Sequence, residues 1–281
     1  MTRTHGSPPI SIIAHRGMGQ GHVDEDSPPE NTLPAFEAGW ASGASACELD
    51  VQLSRDGKVI VIHDDTTNRT ANAKWRVAER SALELASLDA GGWKGPRWAG
   101  IRIPLLSDVL AAMPSPGRLV VELKDGIGIV DPTAEVVCAS CRSPEDIVFI
   151  SFNIESISAM KRRLPEFICL LLVELRADHT QGRWIAGYCK GRLRRAARGP
   201  GEFGFLSEMI SEADLDGIDL NFAAPRDLVD AFLREGRIVV TWTINDPSVA
   251  LELASMGVAG ITTDRPAMIR DALHAGGFQC K

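Results

Sequence analysis

The sequence predicts an α/β chain closed as a TIM (β/α)8 barrel, with a small inserted subdomain after the second strand. Two observations lead there. Short apolar runs alternate with helix-like segments, and eight such strands can be counted, the number that closes a barrel with right-handed crossovers. Charge is also placed unusually. Ala14-His15-Arg16-Gly17, Glu48-Leu49-Asp50, His63-Asp64 and Glu122-Leu123-Lys124 each lie within or at the end of an apolar strand. Burying an unpartnered charge costs several kcal/mol, so four such departures at strand ends point to one shared polar pocket. Loops contributed from all round a barrel provide one, whereas a doubly wound sheet gathers its site at a single switch point.

The elements follow in order. A strand over residues 10–14 precedes a helix over 31–42, with Asn31 or Thr32 near its N-cap and Gly43 ending it. The second strand, 47–54, turns through Arg55-Asp56-Gly57 into a hairpin partner over 59–62. Residues 64–104, rich in Gly and Trp, read as the insertion. Then come a helix over 105–113, a strand over 118–123, a helix over 133–141, a strand over 147–151, a helix over 154–164 and a strand over 167–173. Residues 176–216 look irregular and carry Lys190, Arg192, Arg194, Arg195 and Arg198, a run read as a solvated helix face or, alternatively, as a contact for an anionic lipid surface. Strands over 217–220, 238–243 and 259–262 are followed by helices over 226–235, 247–256 and 266–275, so one domain is expected over 10–275.

The bulk numbers agree. The chain has 281 residues, and a β/α barrel commonly needs about 250. Its net charge of −7 argues against binding along nucleic acid, which demands a basic footprint, but not against a small phosphate ester. The most apolar run, 167–173, is ended by Glu174 and is too short to span a bilayer, so no stable membrane insertion is expected. The first residues lack the apolar core of a signal peptide, and a cytoplasmic location is expected. Cys138 and Cys141 form a C-x-x-C with no second ligand pair at zinc spacing, and read as two free thiols. The sequence carries no signal of oligomeric state.

On a barrel, strand C-termini converge at the catalytic face, and residues i and i+2 of a strand face the same way. Glu48 and Asp50 then point inward together, as do Glu122 and Lys124. Three hard oxygen ligands suit one divalent cation, Mg²⁺ or Ca²⁺ with Mn²⁺ as a further candidate. The alternative is a buried ion network of these carboxylates with Arg16 and Lys124. His15 and His63 supply two imidazoles for proton transfer, Arg16 a bidentate fork for phosphate oxygens and Lys124 a point charge.

Together with Glu30-Asn31-Thr32-Leu33, Asp56-Gly57, Arg69-Thr70, Leu88-Asp89-Ala90-Gly91, Ile103-Pro104, Ser151-Phe152, Trp242-Thr243-Ile244-Asn245 and Thr263-Asp264-Arg265-Pro266, these motifs make an ordered set that resembles the glycerophosphodiester phosphodiesterase family. The resemblance implies a TIM barrel with an insertion after the second strand and hydrolysis of a small-molecule glycerophosphodiester to glycerol 3-phosphate and an alcohol. It implies a divalent metal on Glu48, Asp50 and Glu122, His15 and His63 as the general acid/base pair, and Arg16 and Lys124 on the phosphate. It places Trp242 against the glycerol moiety, with ordinary barrel packing as the other reading of that residue, and Phe152 as a wall of the pocket. Glu30 and Asn31 either line the site or, for Asn31, cap the helix.

Residues 18–29 make a longer loop than the family pattern. Its acidic Asp24, Glu25 and Asp26 would attract a cationic head group such as choline, or simply be solvated. Rival functions are a lysophospholipase D or sphingomyelinase D-like activity on the same barrel, which needs an apolar groove, and a non-catalytic ligand-binding barrel, which predicts loss of one of the seven polar residues.

Overall fold

The computed structural model describes residues 9–18, 26–181, 183–188, 193–197 and 200–281. Eight parallel strands close on themselves: β1 (Ser11–Ala14), β2 (Ala46–Leu53), β4 (Leu119–Leu123), β5 (Ile147–Ser151), β6 (Ile168–Asp178), β9 (Gly217–Asn221), β10 (Ile238–Trp242) and β11 (Gly260–Thr263). β1 pairs with both β2 and β11, and β5 with β6, so the ring has no free edge. The short antiparallel β3 (Val59–Val61) returns on β2 through the expected hairpin, where Gly57 takes φ +72°.

These strands form because each is a short apolar run covered on both sides, as parallel strands require. Ile13, Ala46, Val120, Ile150, Leu170, Leu172 and Val240 fill the barrel interior. The opposite faces, with Leu49, Val121, Phe149 and Ile218, pack against the surrounding helices. Those helices are α1 (Leu33–Ala41), α3 (Leu106–Ala112), α4 (Val130–Ala139), α5 (Ile154–Arg163), α6 (Gly204–Glu212), α7 (Arg226–Arg234), α8 (Pro247–Met256) and α9 (Pro266–Ala275). Local chemistry sets their ends. Asn153 caps α5 by accepting from the Glu155 and Ser156 amides, and Asp246 caps α8, which Gly257 terminates at φ +99°. Among the described residues, no helix is long and apolar enough to cross a membrane.

The segment between β3 and α3 carries the one-turn helix α2 (Ala82–Ala86), started by a Ser81/Glu84 capping box. It has its own small core of Ile60, Ile62, Val77, Leu85, Leu88, Ala90 and Ile103, which fixes it beside the barrel mouth.

One stretch differs from the sequence reading. The described part of the basic segment is a strand, not a helix face. β6 runs on past the barrel to Asp178 and leads into antiparallel β7 (Arg183–Tyr188) and β8 (Leu193–Ala197). The cause is visible at Asn221. Its side chain accepts from the Leu175 amide at 2.8 Å and donates to the Leu175 carbonyl at 3.0 Å, extending the ladder where β9 stops. Arg195, on β8, lies exposed with its guanidinium 4.3 Å from the Phe205 ring centre. Lys190, Arg192 and Arg198 lie outside the described residues, as do Cys189 and the 19–25 part of the acidic loop. The end of that loop is fastened to the insertion: Asp26 pairs with Arg97 at 3.4 Å, and Ser27 accepts from Lys94 at 2.9 Å. Cys138, in the last turn of α4, and Cys141, just beyond it, are exposed free thiols.

Candidate active site

The strand C-termini meet at one mouth of the barrel. β1 ends in a tight turn, with Arg16 at φ +52° and Gly17 at φ +76°. A Cβ on Gly17 would lie 2.5 Å from the Ala35 carbonyl carbon, so glycine is what lets this turn seat on α1. Glu48 holds the turn from β2: its carboxylate accepts from the Arg16 amide at 2.9 Å and its carbonyl from the Gly17 amide at 3.1 Å.

Glu48 and Asp50 share a face of β2, and Asp50 is in register with Glu122 on β4. Each offers one oxygen, all within 4.8 Å of one another, and all three side chains are buried. Burial pushes the Glu48 carboxyl well above its ordinary range, and the neighbouring Asp50 and Glu122 add to the shift. Burial lifts Glu122 to about 7, with Lys124 opposing and Asp50 reinforcing it. Burial works against the charge on Asp50 too, but Lys124, His63 and Arg16 hold its carboxyl well below the usual range. Lys124 sits between two of the carboxylates, 2.8 Å from Glu122 and 3.2 Å from Asp50. Arg16 donates to Glu30 at 2.8 Å and brings its Nε to 3.5 Å from Asp50.

Ion pairs are therefore present, yet they leave two of three buried carboxylates unfavourable as anions. Asp50 Oδ1, despite the nearby ammonium, has no hydrogen-bond partner among the described residues. Clustered hard oxygens with unrelieved repulsion fit a divalent cation. Asn31 joins the carboxylate cluster rather than capping the helix. At φ +56°, it donates to Asp50 at 2.8 Å, and Thr32 takes the N-cap position of α1.

Two imidazoles flank the carboxylates. His15 Nδ1 lies 2.7 Å from Asp264, which follows β11, and Asp264 also accepts from the Asn245 amide at 2.7 Å. The antiparallel return of β3 brings His63 back beside Asp50, its Nδ1 2.6 Å from Asp64. Burial lowers the pKa of His63, and the nearby Asp50 charge opposes the shift. Burial also opposes ionisation of Asp64, but hydrogen bonds from Arg69 and His63 hold it at about 2. Arg69 forks across two carboxylates, 2.8 Å from Asp64 and 2.6 Å from Glu30, and so links the His63 turn to Arg16. On the other side of the mouth, Phe152 and Trp242 meet edge to face, ring centres 5.7 Å apart.

A sequence model of the glycerophosphoryl diester phosphodiesterase family matches residues 15–268. The chain belongs to the glycerophosphoryl diester phosphodiesterase family. Two relatives match over nearly the full length. YhdW of Bacillus subtilis (strain 168) is 31% identical over 267 residues, covering 94% of this chain and 98% of that protein. A glycerophosphodiester phosphodiesterase of Caldanaerobacter subterraneus subsp. tengcongensis is 29% identical, covering 95% and 98%. Among solved structures, a phosphodiesterase of Oleispira antarctica in complex with the product sn-glycerol-3-phosphate superposes with a TM-score of 0.77 at 26% identity, covering 95% of this chain and 97% of that one.

The seven polar residues singled out from this family member's sequence stand together at one mouth. Four further participants were not assigned roles from sequence: Asp264, Asn245, Asp64 and Arg69. Asp219, on β9, is a further polar residue to which the sequence assigns no role. It is a buried carboxyl inside the barrel whose Oδ1 has no hydrogen-bond partner among the described residues, and burial, then Glu122, pushes its pKa well up.

Proposed function

We propose that the chain hydrolyses a glycerophosphodiester to glycerol 3-phosphate and an alcohol, with one divalent cation, Mg²⁺, Ca²⁺ or Mn²⁺, held by Glu48, Asp50 and Glu122. The observation that carries this reading is the convergence of three buried carboxylates, two cationic side chains and two carboxylate-anchored imidazoles at one barrel mouth. When bound, such a cation supplies Lewis-acid polarisation of the phosphoryl group and a template for the substrate.

The chain's own residues do the rest. Arg16 and Lys124 bind non-bridging phosphate oxygens and offset the charge that builds there. Phe152 and Trp242 wall the side of the pocket against the glycerol carbons. Asp264 and Asp64, acceptors only while ionised, keep the proton of His15 and His63 on Nδ1. That leaves each Nε2 for chemistry. One imidazole takes the proton of the attacking hydroxyl as the new P–O bond forms. The other gives its proton to the leaving oxygen as the old P–O bond breaks. Water or the adjacent glycerol hydroxyl meets the same proton balance, the latter through a cyclic phosphate that water then opens. Burial lowers the pKa of His63, which favours the neutral form that accepts a proton.

The test is release of sn-glycerol 3-phosphate from glycerophosphocholine, glycerophosphoethanolamine and glycerophosphoglycerol by the purified chain, with a lysophospholipid and sphingomyelin as comparators. Turnover of the three glycerophosphodiesters above both lipids is expected. No turnover of any glycerophosphodiester in the presence of all three cations overturns the reading.

A further inference from the structure

We propose that Gln52 is a positioning residue for His63, fixing that imidazole to the strand that carries the carboxylates. This inference rests on the assignment of His63 to proton transfer.

β2 presents Glu48, Asp50 and Gln52 at i, i+2 and i+4, on one face of the strand. Gln52 is 3% exposed, and its side-chain amide nitrogen reaches three successive carbonyl oxygens: Ile62 at 3.3 Å, His63 at 2.9 Å and Asp64 at 2.6 Å. An amide has two N–H groups, so the two short contacts are the full hydrogen bonds, and both fall on the residues that carry the imidazole and its carboxylate. β3 ends at Val61, and the last ladder bond of the hairpin runs from the Ile62 amide to the Asp50 carbonyl at 3.0 Å. Past that point the His63 turn has no strand partner among the described residues, and Gln52 supplies the ladder's continuation from a side chain. The turn is thus held on two sides, by Gln52 on its main chain and by Arg69 through Asp64. Together with the Ile62–Asp50 ladder bond just before it, the Gln52 contacts tie the turn directly to the strand bearing Glu48 and Asp50, and so set the imidazole's distance from the carboxylates.

Misplacing a reacting group by about 1 Å can cost about 10²-fold in rate. Gln52→Met keeps length and apolar bulk and removes both donors. Gln52→Asn keeps an amide but is one methylene short. Both are measured as purified full chains, with native far-ultraviolet circular dichroism as the folding check. A variant that does not fold is replaced in the test by the other. The expected result is a fall in kcat of about 10- to 10²-fold with KM within about twofold of wild type. In a His63→Ala background the same Gln52 substitution should produce no further fall, because the group it positions is gone. Affinity for Mn²⁺, read by calorimetry, should stay within about threefold, since Glu48 and Asp50 are untouched.

A Gln52 variant with wild-type kcat overturns the proposal. So does an equal loss on top of His63→Ala, or a loss that tracks weakened Mn²⁺ binding, either of which makes Gln52 a support of the strand at large. A His63→Ala enzyme with wild-type kcat instead removes His63 from the chemistry, a failure of the underlying assignment that the single-variant data identify separately.

Discussion

His15 and Asp264 stand 249 positions apart in the chain and 2.7 Å apart at the barrel mouth, the carboxylate joined by its other oxygen to Asn245. The strand pairing of β1 with β11 makes the contact, since it sets the residues after each strand side by side. An ionised carboxylate can only accept, so this pair fixes which ring nitrogen of His15 carries hydrogen. Asp264→Asn can offer its amide to Nδ1 and stabilise the opposite tautomer. We expect kcat to fall by about 10²-fold or more while the fold stands, approaching the loss of about 10²–10⁴-fold expected of His15→Ala. An Asp264→Asn enzyme within threefold of wild-type kcat would assign the contact to packing alone.

Much of this architecture is legible in sequence because parallel barrel strands are doubly covered and read as plain apolar runs, so Glu48, Asp50 and Glu122 show up as violations. Asp219, inside the Gly217–Asn221 strand, carries the same signal. Asp264 and Asn245 were visible only as members of motifs. Nothing in spacing pairs either with His15, because the pairing is made by barrel closure. The β7–β8 arm was hidden by its charge. Arg194 and Arg195 look like a helix surface until the Asn221–Leu175 bonds show β6 continuing past its neighbour. In sequence Asn31 reads as either helix cap or pocket lining, and its contact with Asp50 sets it in the carboxylate cluster.

The buried carboxylates also set a pH dependence. Glu122 titrates near 7 against an ordinary 4.5, so between those values the folded, metal-free chain keeps a proton that the unfolded chain has released. Its contribution to stability is complete below 4.5 and is lost as pH rises through about 7, at up to about 1.4 kcal/mol per pH unit for one group. Glu122→Gln removes that dependence. In excess EDTA, the variant's Tm relative to wild type should therefore climb between pH 5 and pH 8. A Tm difference that stays flat, or shrinks, contradicts the assignment of a raised pKa to Glu122.

Two glycines with the same backbone sign separate strain from site geometry. Gly17 takes φ +76° with Ala35 in the way of any Cβ, whereas Gly57 takes φ +72° in the hairpin turn with nothing within 4 Å. Gly57→Ala should cost about 1 kcal/mol of left-handed strain and leave turnover intact. Gly17→Ala should cost more, up to about 3 kcal/mol, and should lower kcat by displacing the Arg16 amide from Glu48. Equal losses of stability for the two, with full activity in Gly17→Ala, would mean the turn tolerates the shift.

The claim on which the rest depends is that Glu48, Asp50 and Glu122 hold a divalent cation required for turnover. The direct measurement is glycerol 3-phosphate release from glycerophosphoethanolamine by chain stripped with EDTA, confirmed metal-free by elemental analysis, before and after addition of Mg²⁺, Ca²⁺ or Mn²⁺. We expect no turnover from the stripped chain, recovery with at least one of the three ions, and no recovery in Asp50→Asn. Undiminished turnover by the metal-free chain would contradict the account.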